Sequence, residues 1–532
     1  MTRTSNAGNI LLGIFAIATV RNFLEFALEG QTLVSNADPL RDLKTYFLHF
    51  TSFYYLVFVC LSLIFYAFAL KRLTISECFK IGALAMPMIW IGPVFGYLIG
   101  DPCDILYPND PMGVLLNLHQ MANPNYDYNG MTKGMRLEVM LAGLGAIGYL
   151  YYKTKRVLTS VLGGVCISAA CLAIGLSIPF LTQYHEYGFH FGKHELYNST
   201  LLHQGFVVHG TGCKIALFYI ILSLILFSVA YYLRSPQYFL AIVKNFRWTR
   251  TLHYLLLFGG GLLYVYHNPP TMNPGYDGEF EYLATIWKHP FDLFGIAMAA
   301  LAVFLSFQSA VIFNDIHDYD IDVVSNAGRP LVTKAIPLSE YKLVGRLFLI
   351  LALVIAVCIN ETFFFFVLLY NLLAFLYSAP PFRLRKYFLL SNFILAAIFL
   401  VTLHAGSSVL ISSYRFGNIP SGITWSLLLG FVLALTVKDV KDYEGDRLGR
   451  VQTLQTLMGR KVGNAATVVA VCLATLLMPI LLGLDSMVLF CVAVCALFLL
   501  VVNKVTSSRT RELLVTILYF IYMLVLFYCL AY

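Results

Sequence analysis

Apolar runs long enough to cross a bilayer recur along the whole chain, and this settles the class of fold before any motif is considered. A transmembrane helix needs about 20 consecutive apolar residues. Lipid offers no partner to backbone polar groups, so each such run must satisfy its own hydrogen bonds as a helix. Runs of this kind fall near residues 8–28, 46–70, 76–99, 136–152, 157–181 and 214–232. A second series falls near 252–266, 290–313, 342–358, 360–377, 387–411, 423–438, 462–482, 487–503 and 511–531. The expected architecture is an all-α polytopic membrane protein, about six spans followed by nine. The 136–152 and 252–266 segments are the shortest and weakest of the set. With 59% hydrophobic residues and a mean hydropathy of +0.75, a soluble enzyme is excluded. The first run carries Arg21, Glu25 and Glu29 and lacks a small-residue cleavage site, so no cleavable signal peptide is expected.

Charge distribution tests the count. Lysine and arginine cluster at Lys71-Arg72, Lys153 to Arg156, Lys244 to Arg250, Arg383 to Lys386, Lys438 to Lys441 and Lys504 to Arg511. With a cytoplasmic N-terminus and fifteen spans, every one of these groups lies inside, as the positive-inside rule requires. The net charge of +8 therefore reflects topology and lipid contact. No basic domain capable of holding nucleic acid is present. A multi-pass protein of the cell membrane is expected. The polar stretch Arg234 to Arg250 is the best boundary, dividing residues 1–240 from a second domain at 245–532.

Two carboxylate clusters stand at the cytoplasmic ends of spans in the second domain: Asn314, Asp315, Asp318 and Asp322, and then Asp439, Asp442 and Asp446. At about 100° per residue, Asn314, Asp318, Asp322 and Asp315 fall near 0°, 40°, 80° and 100°, whereas Asp320 falls near 240°. In the second cluster Asp439, Asp446 and Asp442 fall near 0°, −20° and −60°, with Glu444 opposite at about 140°. Each cluster is thus a one-sided stripe of oxygen ligands. Ionisable residues at membrane depth are functional by default. Two facing stripes repel unless divalent cations lie between them, and Mg²⁺ shares its shell among one or two carboxylates, water and phosphate oxygens.

Basic, turn-rich loops follow each stripe. Asn326-Ala327-Gly328-Arg329-Pro330-Leu331 comes after the first, and Gly445-Asp446-Arg447 opens the loop after the second. Between them Tyr377-Ser378-Ala379-Pro380-Pro381-Phe382-Arg383-Leu384-Arg385-Lys386 ends a helix on paired prolines and three cations. The guanidinium fork bonds two phosphate oxygens at once, so this mouth reads as a site for a diphosphate bridged by Mg²⁺. Two other readings compete: a transporter using the carboxylates as a cation pathway, and a non-catalytic scaffold. A transport path places its polar groups near the midplane, whereas these stripes gather at one mouth.

The spaced residues Asn314-Asp315-x-x-Asp318-x-x-x-Asp322, Arg329-Pro330-Leu331, Tyr377-Ser378-x-Pro380-Pro381-x-Arg383 and Lys438-Asp439-x-x-Asp442-x-x-Gly445-Asp446 resemble the intramembrane prenyltransferase (UbiA) superfamily. The resemblance covers about residues 245–532. It implies a nine-helix bundle, an isoprenyl diphosphate donor, an aromatic or lipid acceptor, and two Mg²⁺ ions. By position it assigns Asn314, Asp318 and Asp322 to one metal, and Asp442 and Asp446 to the other. Asp315, Asp439, Arg329 and Arg383 would serve catalysis, and Arg329, Tyr377, Arg383, Arg385 and Lys438 would hold the diphosphate. Family members commonly read Pro-Ser-Gly after Arg-Pro-Leu, whereas this chain has Val332-Thr333-Lys334-Ala335.

The first domain matches no catalytic pattern. Its Tyr184 to His209 segment holds five of the twelve histidines, with spacings that make no metal-ligand pattern, and reads as an interfacial outside loop. Asn198-Ser199-Thr200 is a formal glycosylation sequon. The eleven cysteines show no CxxC pair and mostly occupy apolar spans. Cys103 and Cys213 fall in or beside outside segments, and a disulfide between them is left open by the sequence.

Overall fold

The computed structural model describes residues 5–29, 39–100, 107–128, 131–188, 200–203, 205–208, 210–269, 286–411, 414, 416–440, 442–504 and 508–531. Among the described residues all regular structure is helical, and each of the fifteen expected segments falls on a helix. Twelve helices among the described residues are long and apolar enough to cross a membrane. The remaining segments lie on Lys133–Thr154, Trp248–His267 and the short apolar helix ending at Lys504. The first two carry charges in their opening turns (Arg136 and Glu138, and Arg250), which lowers their hydropathy. Among the described residues the structure thus supports twelve of the fifteen expected spans by length and composition. Cys103, His190, His194, His209 and most of the sequon lie outside the described residues.

The chain divides into two compact units, Met1–Phe239 with His289–Gly295, and Leu240–Lys288 with Ile296–Tyr532. The short segment 289–295 packs with the first unit although it lies far along the chain. Asp292 accepts a hydrogen bond from the Val207 N–H at 3.0 Å, and Phe291 packs in a core cluster with Tyr107, Leu201 and Leu202. Local composition at 289–295 cannot show this, because it depends on contacts with residues far upstream.

In the first unit two of the charges that stand out in the opening span neutralise one another, since Arg21 pairs with Glu25 one turn later. Thr74 and Glu77 form a reciprocal capping box that starts Ile75–Ala85. His49 Nε2 meets Tyr107 Oη at 2.6 Å, and Tyr107 Oη meets Tyr219 Oη at 3.0 Å, which satisfies three buried polar groups inside the bundle.

The second unit is held at its centre by the crossing of Trp248–His267 and Phe388–Leu410. A Cβ at Gly261 would stand 1.9 Å from the Leu403 carbonyl oxygen, and one at Gly406 would stand 1.9 Å from that of Phe258. Only glycine allows the two backbones to touch, which is how helices associate in lipid, where the hydrophobic effect supplies no drive. Around that crossing Leu257, Leu403, Phe431, Met478, Cys491 and Leu526 form one buried cluster. The Glu361–Ser378 helix starts from Asn360, whose side chain accepts from the Phe363 N–H at 2.7 Å.

Candidate active site

Helix Pro290–His317 ends just before Asp318, which takes φ −102° and ψ 14° and leads into the short helix Tyr319–Ser325. The ladder nevertheless runs across the junction, because Asp318 N–H donates to Asn314 O and Asp322 N–H to Asp318 O, both at 2.9 Å. Helical phase is kept. Asp315, Asp318 and Asp322 are buried while Asp320 is exposed.

The second cluster is not one helix. A 3-10 turn covers Leu435–Asp439, and regular helix resumes only at Tyr443–Leu448 with Asp442 at its N-cap. The tighter turn advances each residue by more than 100°, so angles reckoned through Asp439 and Asp442 on a single α-helix do not hold. Asp446 is buried, Asp439 and Asp442 are half-buried, and Glu444 is exposed. Glycine brings the two clusters together. A Cβ at Gly445 would lie 2.1 Å from Ser325 Oγ and 3.1 Å from the Ile321 carbonyl oxygen, so Tyr443–Leu448 seats directly on Tyr319–Ser325.

Guanidinium groups fill the space between the carboxylates. Arg385 pairs with Asp318 and reaches Asp446 Oδ1 at 3.3 Å, linking the two clusters through one side chain. Arg383 Nη2 meets Asp318 Oδ1 at 3.1 Å and the His317 carbonyl at 3.0 Å, from a backbone with φ +42°, a region that non-glycine residues rarely adopt. Arg329 is held more loosely, 3.4 Å from Asn245 Oδ1, 3.7 Å from Asp315 and 4.0 Å from Asp322. Asn314 donates to Asp318 at 2.6 Å.

The remaining residues are spoken for by neighbours. Asp315 is surrounded by Arg247, Asn245 Nδ2 at 2.9 Å and Tyr341 Oη at 2.9 Å, so it faces a hydrogen-bonded wall. Lys438 Nζ sits on Asp439 at 2.9 Å, Asn392 Oδ1 at 2.9 Å and Ser391 Oγ at 3.3 Å. Tyr377 shares Ser391 with it. Asn326 donates to Asp322 at 2.9 Å and lies 3.5 Å from Asp442, a second bridge between the clusters. Asn245, Arg247, Asn326, Tyr341, Ser391 and Asn392 thus join the site without having been singled out by sequence. Only Asn326, one turn beyond Asp322, carried a local signal.

Burial and crowding raise the carboxylates' proton affinity. Burial lifts Asp446 to about 7, opposed by Arg385 and reinforced by Asp439 and Asp442. Burial likewise lifts Asp322 to about 6, with Arg329 pulling it down and Asp315 pushing it up. Among the described residues no three His, Cys, Asp or Glu side chains converge tightly enough to cage an ion by themselves. Asp322 Oδ2 is buried with no hydrogen-bond partner among the described residues, as an oxygen open to a cation would be.

The family model for the UbiA prenyltransferase family matches residues 282–528. The digeranylgeranylglyceryl phosphate synthase of Methanocaldococcus jannaschii is 28% identical over 243 residues, an alignment covering 42% of this chain and 80% of that protein. The same enzyme from Saccharolobus solfataricus is 24% identical, with 32% of this chain and 58% of that protein covered. Chloroplastic chlorophyll synthase of Arabidopsis thaliana is 29% identical, covering 28% of this chain and 40% of that one. A solved UbiA homologue from Archaeoglobus fulgidus bound to GPP and Mg²⁺ superposes with a TM-score of 0.40 at 17% identity, over 55% of this chain and all of that one. The C-terminal region, residues 282–528, belongs to the UbiA prenyltransferase family. The protein is a multi-pass membrane protein carrying a prenyltransferase domain.

Proposed function

We propose that the second unit transfers an isoprenyl group from an isoprenyl diphosphate to a lipid acceptor, with the donor's diphosphate held at the mouth formed by the two aspartate clusters. The observation that carries this reading is Arg385, a single guanidinium joining buried Asp318 to buried Asp446. Asn314, Asp318 and Asp322 would hold one Mg²⁺, and Asp442 and Asp446 a second. Bound there, Mg²⁺ supplies Lewis-acid neutralisation of the departing diphosphate.

The chain's own groups do the rest. Arg329, Arg383 and Arg385 bond the diphosphate oxygens as the allylic carbon–oxygen bond breaks and its electron pair leaves with the phosphate. Arg329, the most loosely held, has the most freedom to turn toward the donor. Asp315 positions it through the Arg247, Asn245 and Tyr341 wall. Asp439 holds Lys438 against Ser391 and Asn392. A dry site then lets the acceptor's nucleophile, and not water, close the new bond. The mouth faces the cytoplasm by the positive-inside rule. A lipid acceptor is favoured because several of the matched relatives are named for a glycerol-phosphate lipid product.

The test is diphosphate release from a series of isoprenyl diphosphates by the purified protein in liposomes. Release should require Mg²⁺ and stop on chelation. Metal-independent release, or none with any donor and acceptor lipid, would refute the reading.

A further inference from the structure

The first unit contains a cavity of about 360 Å³, bounded by Ser5–Glu29, Pro39–Phe68, Ile75–Ala85, Lys133–Thr154 and Val157–Tyr187. That volume falls in the range of small-molecule sites. The cavity is long. One end is marked by Phe65, Cys78, Ala146 and Ile167, which share a core cluster, and the other by Arg21, Tyr54 and Glu138. From Glu138 to Tyr149, both on its wall, the helix rises about 16 Å. Between the ends the lining is mainly hydrocarbon and aromatic, including Phe58, Leu61, Val139 and Leu176, with Ser62 among them.

The charged groups on this wall are already engaged. Arg21 pairs with Glu25 and stands 5.5 Å from the centre of the Tyr54 ring, while Glu138 accepts the Gly92 N–H at 2.6 Å. An ionised ligand head would bring an extra charge into a low-dielectric space with no counter-ion to spare, which is costly. Ser62 is different. It lines the cavity, is 1% exposed, and its Oγ has no hydrogen-bond partner among the described residues. A buried hydroxyl left without a partner is unfavourable, and a ligand hydroxyl, both donor and acceptor, would supply one.

We propose that this cavity binds a neutral long-chain alcohol, its hydrocarbon chain along the slot and its hydroxyl on Ser62. A straight acyl-derived alcohol and a branched isoprenoid alcohol share this chemistry. The site goes beyond the transferase reading and does not depend on it.

The experiment uses the full-length protein in phosphatidylcholine liposomes and a hexadecanol analogue carrying a mid-chain diazirine. After photolysis, labelled peptides should map to Pro39–Phe68 and Lys133–Thr154. Unlabelled hexadecanol or geranylgeraniol should compete, and whichever competes better identifies the chain type. Palmitate should compete poorly. Ser62→Ala should weaken hexadecanol competition about ten-fold, the loss of one hydrogen bond, while leaving hexadecane competition unchanged. A Cβ at Gly175 meets nothing within 4 Å and the residue lines the slot, so Gly175→Leu should fill it and abolish labelling. Labels spread over lipid-facing residues and competed by neither alcohol would overturn the proposal, as would palmitate competing as well as hexadecanol. If Gly175→Leu fails to insert, the wild-type competition series and Ser62→Ala decide the matter alone.

Discussion

Replacing Arg385 with glutamine separates its two roles, because the substitution should move stability and turnover by different routes. At 3.3 Å and an effective dielectric near 20, a guanidinium and a carboxylate attract by about 5 kcal/mol before desolvation is counted. Both carboxylates are buried, and breaking a buried pair by removing one partner costs roughly 3–5 kcal/mol. In the metal-free variant Asp446 answers by holding its proton to a pH higher than about 7, since Arg385 is the main group lowering it. Metal-free stability should therefore fall. Mg²⁺ should then stabilise the variant more than the wild type, because an ion replaces the missing cation without having to displace it. Turnover should drop about 100-fold even at saturating Mg²⁺, the usual loss when one preorganised donor to developing charge is removed. Thermal unfolding with and without Mg²⁺, together with diphosphate release, reads all three quantities. An unchanged metal-free melting point and an unchanged rate would show that Arg385 neither bridges the clusters nor touches the donor.

Asp318→Asn and Asp442→Asn should abolish diphosphate release while membrane insertion stays intact, whereas Asp320→Asn and Glu444→Gln, both exposed, should lose no more than a few-fold; equal losses at Asp318 and Asp320 would contradict the assigned faces. Divalent-ion affinity should weaken as pH falls through about 7 and then about 6, because Asp446 and Asp322 take up protons there and a protonated carboxyl is a poor ligand. The metal-free protein should show the opposite trend. Both groups have folded-state values raised above the ordinary carboxylate range, so their contribution is present at low pH and is lost as pH rises through those values. Melting curves across this window with and without Mg²⁺ check both signs. Gly445→Leu should cost about 1–3 kcal/mol from overpacking and cut turnover further by parting the two short helices, measured by unfolding and release assays; a stable, fully active variant would deny that this contact sets the site.

The aspartates of the first stripe were legible because helical period alone separates Asp318 and Asp322 from Asp320, and the ladder stays regular across Asp318. The second stripe was legible in composition but not in shape. Nothing in Leu435–Asp439 announces a 3-10 turn, since that tightening reflects how the chain leaves one helix to seat the next on Ile321 and Ser325. Arg247 and Asn245 were hidden for a different reason. They belong to a basic stretch that any positive-inside flank would also contain, and their partner Asp315 lies some 70 residues on. Tyr341 was invisible in the same way, as a phenol at the start of an apolar helix whose meaning depends on Asp315 lying 2.9 Å away. The Lys438 ammonium sits on Asp439 beside it and on Ser391 and Asn392, the last 46 residues upstream, a pairing that local sequence does not show.

The backbone crossing at Gly261 and Gly406 also acts as a fulcrum. Phe388–Leu410 is pinned there, and its far end carries Ser391 and Asn392, the two side chains that steady Lys438. From Gly406 to Asn392 the helix forms a lever arm of about 21 Å. A change in tilt of about 5° at the crossing would swing Asn392 by about 2 Å, and displacements near 1 Å already cost catalysts of this kind about 100-fold. Two residues with no side chain, deep in the bundle, therefore set the aim of a polar cluster several helical turns away.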